Sequence, residues 1–419
     1  MKIIVLGGGL AGITTAYYLA KDGQEVAVVD RQPGVALETS FANAGLISPG
    51  HSYTWASPSA PASLIRSLYR DDQALRLKLV PDWRMYAWCW HFIRNCTDER
   101  ARANTALKLR LSRYSQAELK QLTAQEDLSY DQTNKGLLYL YRDQASFDAG
   151  IANTSVLKEG GLVLTPLDRA ATCAKEPALV ASGSTVAGSI YCPSDGSGDA
   201  HLFATELFAR CVRLGVTFQP SCEILGLSGN ADSVDHIHTS LGPMKADAFV
   251  LALGSYSSVL ARTLGYVLPV YPVKGYSVTL PLADRARVPD IGGVDEGNLV
   301  AWSRLGDRMR ITGTAEFAGY NLRHRPSDFV HMLRSARELF PDGPDYSRPT
   351  YWAGLRPMTP SGTPYIGRTR HRNLYFNTGH GHLGWTWSCG TARLVADIIQ
   401  GRVPAIDISG LTLATKKWL

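Results

Sequence analysis

No run of about twenty apolar residues occurs in this 419-residue chain, so no spanning helix is expected. Attachment to a membrane surface stays open. Seven cysteines, Cys89, Cys96, Cys173, Cys192, Cys211, Cys222 and Cys389, are scattered without a Cys-x-x-Cys pair. Neither a zinc knuckle nor a dithiol couple is expected, and the thiols read as buried and reduced. His380 and His382 have no carboxylate spaced to join them, so no metal site is expected. Long runs of like charge are missing too: the formal net charge of +6 is dispersed. A nucleic-acid arm is therefore not expected, and a solvated basic face or contact with an anionic surface accounts for the balance. Met1 and Lys2 lead straight into an apolar run that glycines interrupt before it reaches signal-peptide length, so the protein reads as cytoplasmic. Internal repeats and low-complexity linkers are also lacking. The length corresponds to roughly two or three domains, which should interleave rather than follow one another as beads.

What is present begins at once. Ile3-Ile4-Val5-Leu6 is followed by Gly7-Gly8-Gly9-Leu10-Ala11-Gly12, an apolar helical pattern to Leu19, and Val26-Ala27-Val28-Val29 closing on Asp30. Strand, glycine turn, helix, strand and acid in that order form the fingerprint of a dinucleotide-binding βαβ unit. Gly7 permits the sharp turn, Gly9 lets backbone approach a pyrophosphate, and Gly12 lets the helix press on the strand. The helix N-terminus offers free N–H groups and a positive dipole end. Asp30, about twenty residues after the glycines, is placed to accept both hydroxyls of an adenosine ribose. FAD and NAD satisfy that pattern, whereas the 2′-phosphate of NADP conflicts with the acid. An ordinary glycine-rich turn is the competing explanation.

Farther along, Glu38 to Ile47 is dense in small and polar residues, as suits backbone lying against a planar ligand. A helical, aromatic pattern spans Ser63 to about Gln125; Gly136–Tyr141 alternates like a strand, and a helix follows over Gln144–Glu159. Another helix is expected over His201–Leu214, with core strands at Val216–Phe218 and Ala248–Gly254. Strand-like segments resume at Val267–Leu280, Asn298–Ser303 and Met309–Thr314, and a helix at Asp328–Leu339. The chain closes with strand Leu374–Asn377, a glycine turn, and helix Trp385–Gln400. The expected fold is α/β: a FAD-binding Rossmann-like βαβ domain interleaved with an α+β substrate domain on a mainly antiparallel sheet. Residues 1–55, 155–265 and 345–410 are assigned to the first, 56–154 and 266–344 to the second.

Four ordered blocks then carry a family likeness: Leu37-Glu38-Thr39-Ser40 with Asn43-Ala44-Gly45 and Ser48-Pro49-Gly50; Tyr271-Pro272-Val273-Lys274-Gly275-Tyr276-Ser277; Gly354-Leu355-Arg356-Pro357-Met358-Thr359-Pro360; and Asn377-Thr378-Gly379-His380-Gly381 with Leu383-Gly384-Trp385-Thr386. From Met1 to about Ile406 the chain resembles the small-subunit bacterial D-amino-acid dehydrogenase family. The wider group is similar to D-amino-acid oxidase, glycine oxidase and sarcosine oxidase. The resemblance implies FAD in place of NAD, a D-amino acid such as D-alanine as substrate, and a quinone or respiratory acceptor at the inner membrane face. It implies that Arg356 grips the substrate carboxylate, as a guanidinium can through paired charge-assisted bonds. It also implies flavin contacts at Gly7, Gly9, Leu10, Ala11, Gly12, Asp30, Arg31, Ser40, Asn43, Ala44, Gly45, Leu46, Ala252, Gly254 and Gly354. Gly379, Gly381, His382, Leu383, Gly384, Trp385 and Thr386 would lie by the pyrimidine ring, and Glu223-Ile224 would offer backbone to the adenine. Tyr271, Tyr276, Tyr53 and His51 are candidates for the substrate cavity, with core packing as the alternative. His382 departs from the family pattern, where a small polar residue is commoner; it lies either in the cavity or on an exposed loop. Met358 and the lack of a cysteine in its segment point to non-covalent FAD. Trp83, Trp88 and Trp90 interleave with Arg70, Arg76, Lys78 and Arg84 within Arg66–Arg94, a blend shared by interfacial helices and buried lids. The rival activities are an O2-using oxidase on the same fold, a D-proline or hydroxyproline dehydrogenase, and a flavin-binding subunit without chemistry of its own.

Overall fold

The computed structural model describes residues 1–62, 75–77 and 81–413. Its first sheet has six strands in the order Tyr365–Arg368, Leu374–Thr378, Ala248–Leu251, Lys2–Leu6, Glu25–Val29, Thr217–Gln219. The opening strand pairs in parallel with both neighbours, and its side chains from Ile3 to Leu6 are fully buried. Strands covered on both faces read as continuous apolar runs. Alternation then divides the work. Ile3, Val5, Val26 and Val28 face a helical layer, while Ile4, Leu6, Phe249 and Leu251 face a three-stranded antiparallel sheet built from residues 224–244.

The helical layer comprises Leu10–Lys21, Ala200–Arg213, the long helix Asp98–Glu126 and the C-terminal helix Gly384–Ile399. The C-terminal helix is buried almost throughout. Its Gly390 permits close passage of the long helix: a Cβ there would lie 2.6 Å from Ser115 Cβ, and the Gly390 N–H donates to Ser115 Oγ at 2.8 Å. Trp387 Nε1 donates to Ser112 Oγ at 2.8 Å. Buried polar atoms on both helices are thus satisfied by each other.

The second sheet runs Thr350–Met358, Tyr271–Pro281, Arg308–Phe317, Val300–Leu305, Gly292–Asp295, Leu137–Tyr141, Gly188–Cys192, Thr165–Asp168, with Leu75–Leu77 beside Arg308–Phe317. It is mainly antiparallel; Gly292–Asp295 with Leu137–Tyr141, and Leu75–Leu77, supply the parallel pairings. The expected α/β class with an interleaved α+β domain is the observed one.

The domain boundaries need correction. Strands Thr165–Asp168, Gly188–Cys192 and Thr350–Met358 fall in segments assigned to the cofactor domain but hydrogen-bond into the second sheet. Conversely, Leu111, Leu119 and Leu122 of the long helix pack into the first domain's core. The helical pattern starting at Ser63 begins outside the described residues. Within them it breaks into Trp83–Asn95 and Asp98–Glu126, because Thr97 takes an extended conformation and its side chain accepts the Arg100 N–H, an N-cap. The helix expected over Gln144–Glu159 is likewise two, meeting at Thr154.

Candidate active site

A cavity of about 780 Å³ runs from the tip of the first parallel strand to the face of the second sheet. At its far end Gly7 has φ +109°, and a Cβ there would meet the Ala252 carbonyl oxygen at 2.7 Å. A Cβ on Gly12 would fall 1.8 Å from the Gly7 carbonyl oxygen. On Gly9 it would approach only Ser40 Oγ, at 3.6 Å. The turn is therefore tight behind and open in front. Gly9 caps the helix without a side-chain bond of its own, and the Leu10 N–H donates to Ser40 Oγ at 3.2 Å; the helix N-terminus still offers a positive end to an anion.

Asp30 Oδ2 accepts the Gly8 N–H at 2.5 Å, and Oδ1 accepts the Gln32 N–H at 2.7 Å. Burial raises this carboxyl, and the two backbone donors oppose the shift. Each oxygen keeps a lone pair for a ribose hydroxyl. The loop Asn43-Ala44-Gly45 is clamped from the second sheet. Ser303 Oγ donates to the Ala44 carbonyl at 2.7 Å and Arg310 Nη1 to the Asn43 carbonyl at 3.1 Å, while Gly45 itself donates to Asn43 Oδ1 at 2.9 Å.

Leu10, Ala11, Ser40, Asn43, Ala44, Gly45, Leu46, Ala252, Gly254, Gly354, Gly381, Leu383, Gly384 and Trp385 join Gly7, Gly9 and Asp30 in the wall. Others stand behind it. Gly12 packs under the turn. Arg31 lies over the Tyr256 ring at 4.0 Å and donates to Glu38. Thr386 Oγ1 accepts the Ser48 N–H, and the space beside Gly379 is filled by Thr359 Cγ2. Glu223 is a correction: its N–H donates to Ser240 Oγ and its carbonyl accepts the Ser240 N–H, so that backbone is engaged locally. Ile224 next to it opens the strand paired with Val234–Thr239.

At the near end Arg356 rises from strand Thr350–Met358, and its Nη1 donates to the Thr314 carbonyl at 2.8 Å. Burial pushes the guanidinium down to about 10, and no acidic group among the described residues raises it. His51 Nε2 lies 3.2 Å from Glu296 Oε1, and its ring stacks on Tyr139 with centroids 5.6 Å apart. Tyr53 lines the same end, its carbonyl accepting from the buried Lys108 Nζ at 2.5 Å; burial pushes that ammonium down to about 7. His382 lines the cavity rather than an exposed loop. Its ring stacks on Trp55 with centroids 5.1 Å apart. Burial, with Lys108, His51 and Arg356 nearby, holds it well below the usual imidazole range, so it is neutral.

The two tyrosines of strand Tyr271–Pro281 are placed differently: only Tyr271 departs from the cavity lining expected of it. Tyr271 lies behind the wall, stacked on Phe317 and tilted against Trp88. Tyr276 borders the cavity, but its ring meets Phe329 edge-on and its hydroxyl donates to Glu316 Oε2 at 2.5 Å. On strand Tyr271–Pro281 they stand an odd number of positions apart and so face opposite ways. Trp55, Glu296, Thr314, Trp352, Trp88 and His380 also line the cavity; of these, Trp88 in the aromatic run and His380 in the last glycine block carry a sequence signal.

Asp195 supports this end from below. It is buried, accepts the Tyr139 hydroxyl at 2.6 Å and the Gly50 N–H at 3.1 Å, and burial pushes it from 3.8 up to about 6. Its proton is held more tightly folded than unfolded, so this group's contribution to stability falls as pH rises between about 4 and 6, by about 3 kcal/mol. In urea unfolding across that window, the pH slope of the wild-type stability should be more negative than that of Asp195→Asn. Coincident profiles for the two proteins would refute it.

The fold and this wall define a flavin-linked oxidoreductase. The chain belongs to the DAO family, FAD dependent oxidoreductase, which matches residues 2–398, and FAD is its cofactor. The glycine cradle, the helix N-terminus and Asp30 fit that dinucleotide. Among its relatives, "D-amino acid dehydrogenase 2" of Mesorhizobium japonicum is 45% identical over 412 residues, covering 98% of this chain and 99% of that one. The "D-amino acid dehydrogenase" of Granulibacter bethesdensis is 44% identical over 414 residues, covering 99% of each. The fold is shared with glycine oxidase from Geobacillus kaustophilus at a TM-score of 0.78 and 22% identity, over 99% of this chain and 98% of that one.

Proposed function

We propose that the protein oxidatively deaminates small neutral D-amino acids and passes the electrons to a quinone-type acceptor. The observation that carries this is the partly buried Arg356 guanidinium at the cavity wall, with no carboxylate of the described residues paired to it. A buried cation without an internal counter-ion favours an anionic ligand. The names of the relatives supply the D hand.

When bound, FAD supplies the hydride acceptor at its N5 atom. Arg356 holds the carboxylate and so orients Cα–H, converting the encounter into a positioned step. His51, Tyr53, Trp55 and His382 bound the side-chain slot. Bulky aromatic walls favour small substrates, and the stacked His382 is the residue most exposed to selection for side-chain preference. Loss of hydride from Cα and a proton from nitrogen yields an imine, and water then gives the 2-oxo acid and ammonia.

For the acceptor, helix Trp83–Asn95 is informative. Trp88 and Phe92 on its inner face line the cavity. Trp83, Tyr86 and Trp90 on its outer face are 64%, 50% and 62% exposed, and Arg262 lies over Trp83 at 5.4 Å. Exposed tryptophans flanked by cations suit an anionic membrane interface. Arg66, Arg70 and Lys78 lie outside the described residues. Arg76 is not a surface cation: it is buried over the Tyr276 ring, near Asp328. Among the described residues no helix is long and apolar enough to cross a membrane.

The test is anaerobic. D-alanine should bleach the bound flavin and L-alanine should not; a quinone analogue should restore the colour with little peroxide, and the protein should pellet with anionic vesicles at low salt. D-proline bleaching faster than D-alanine would move the substrate class to cyclic imino acids. Rapid peroxide in air would make it an oxidase, and absence of bleaching would overturn the reading.

A further inference from the structure

Arg356 stands on the edge strand Thr350–Met358, yet its guanidinium is bonded two strands away. The order is Thr350–Met358, Tyr271–Pro281, Arg308–Phe317. Arg356 pairs in register with Val273, and its Nη1 reaches the carbonyl of Thr314 on the third strand at 2.8 Å. The side chain must therefore cross the middle strand. It crosses at Gly275, where a Cβ would lie 2.6 Å from Arg356 Cζ and 2.7 Å from both Nη1 and Nη2. Any other residue at that position would occupy the space of the guanidinium.

The far end of the crossing is also special. Gly275 pairs with Ala315 and Tyr276 with Gly313, so Thr314 is an extra residue in the ladder, a β-bulge. Its φ is +56°, a left-handed conformation disfavoured for a β-branched side chain. As an unpaired bulge residue it has a carbonyl free of the ladder, and that carbonyl takes the arginine.

We infer that Gly275 and the bulged Thr314 are positioning residues that form a seat for the Arg356 guanidinium: the glycine clears its path, and the bulge carbonyl fixes Nη1. The remaining guanidinium donors are thereby directed to the substrate carboxylate. This rests on the reading of Arg356 given above. An arginine on three flexible methylenes loses much rotamer freedom when it grips a ligand. A seat that orders it beforehand lowers that cost, so the seat should control carboxylate affinity more than the chemical step.

The experiment uses the FAD-loaded full chain and benzoate, a carboxylate without an amine to oxidise, followed by the flavin absorbance change. In Gly275→Ala the clash falls on the far end of a flexible side chain, so folding should survive with the guanidinium displaced. Benzoate Kd and the D-alanine KM should both rise at least about tenfold, with kcat at saturation falling much less and FAD content kept. Deleting Thr314 removes the bulge together with its carbonyl and lets the ladder run regularly; the protein should keep its FAD while benzoate Kd rises. Combining Gly275→Ala with Arg356→Met should add little to the latter alone, because both remove one interaction. A stable, FAD-loaded Gly275→Ala protein with wild-type benzoate affinity would overturn the seat. If Gly275→Ala fails to fold, the Thr314 deletion decides by the same reading. If Arg356→Met itself leaves benzoate Kd unchanged, the carboxylate role of Arg356 fails and the seat with it. Weakening by Arg356→Met without weakening by the seat variants refutes the seat alone.

Discussion

Arg356→Met is expected to raise the D-alanine KM by roughly 30-fold to a few thousand-fold, the equivalent of about 2 to 5 kcal/mol for truncating one partner of a buried charge pair. Methionine keeps much of the stem and its packing, so the loss should appear in binding rather than in folding. Among the described residues the guanidinium bonds the Thr314 carbonyl and meets no carboxylate. Its removal should therefore leave the thermal midpoint equal or higher, since an unpaired buried cation is unfavourable. FAD content should stay at one per chain. Steady-state kinetics with D-alanine, beside a thermal melt, checks both halves. Unchanged KM and kcat would remove Arg356 from the substrate site.

Gly12→Ala is expected to yield a protein that does not retain FAD. A methyl group at that position would lie 1.8 Å from the Gly7 carbonyl oxygen and 3.5 Å from Val5 Cγ1. The first contact is backbone, so no side chain can rotate away. Relief requires helix Leu10–Lys21 to lift from the opening strand, and that moves Gly9 and the helix N-terminus away from the phosphates. Overpacking costs about 1 to 3 kcal/mol in an ordinary core; here the displaced element is also the cofactor cradle. The ratio of flavin to protein absorbance after purification, followed by titration with added FAD, measures the loss. A yellow Gly12→Ala protein with one FAD per chain would contradict it.

These two sites differ in how they could be read from sequence. The cradle is contiguous: strand, glycines, helix and Asp30 lie within thirty residues, and each is forced by a local requirement for tight turning or close approach. The strand, turn and helix from Leu374 onward were legible for the same reason. The opposite faces of Tyr271 and Tyr276 are also implicit in strand periodicity, which sends one to the cavity and the other to the core.

The amino-acid sequence by itself determined the parallel βαβ unit with its glycine turn and closing acid, and the interleaving of two domains, because apolar periodicity and glycine placement act over short stretches of chain. Tertiary structure alone decided which strands complete the second sheet, since Thr165–Asp168 and Gly188–Cys192 join it only by long-range hydrogen bonding. It also decided the burial of Asp195 beneath Gly50 and the stacking of His382 on Trp55. The seat of Arg356 belongs with these: a bulge at Thr314 and a gap at Gly275 have meaning only once three strands distant in sequence lie side by side, where one missing Cβ fixes the path of a charge.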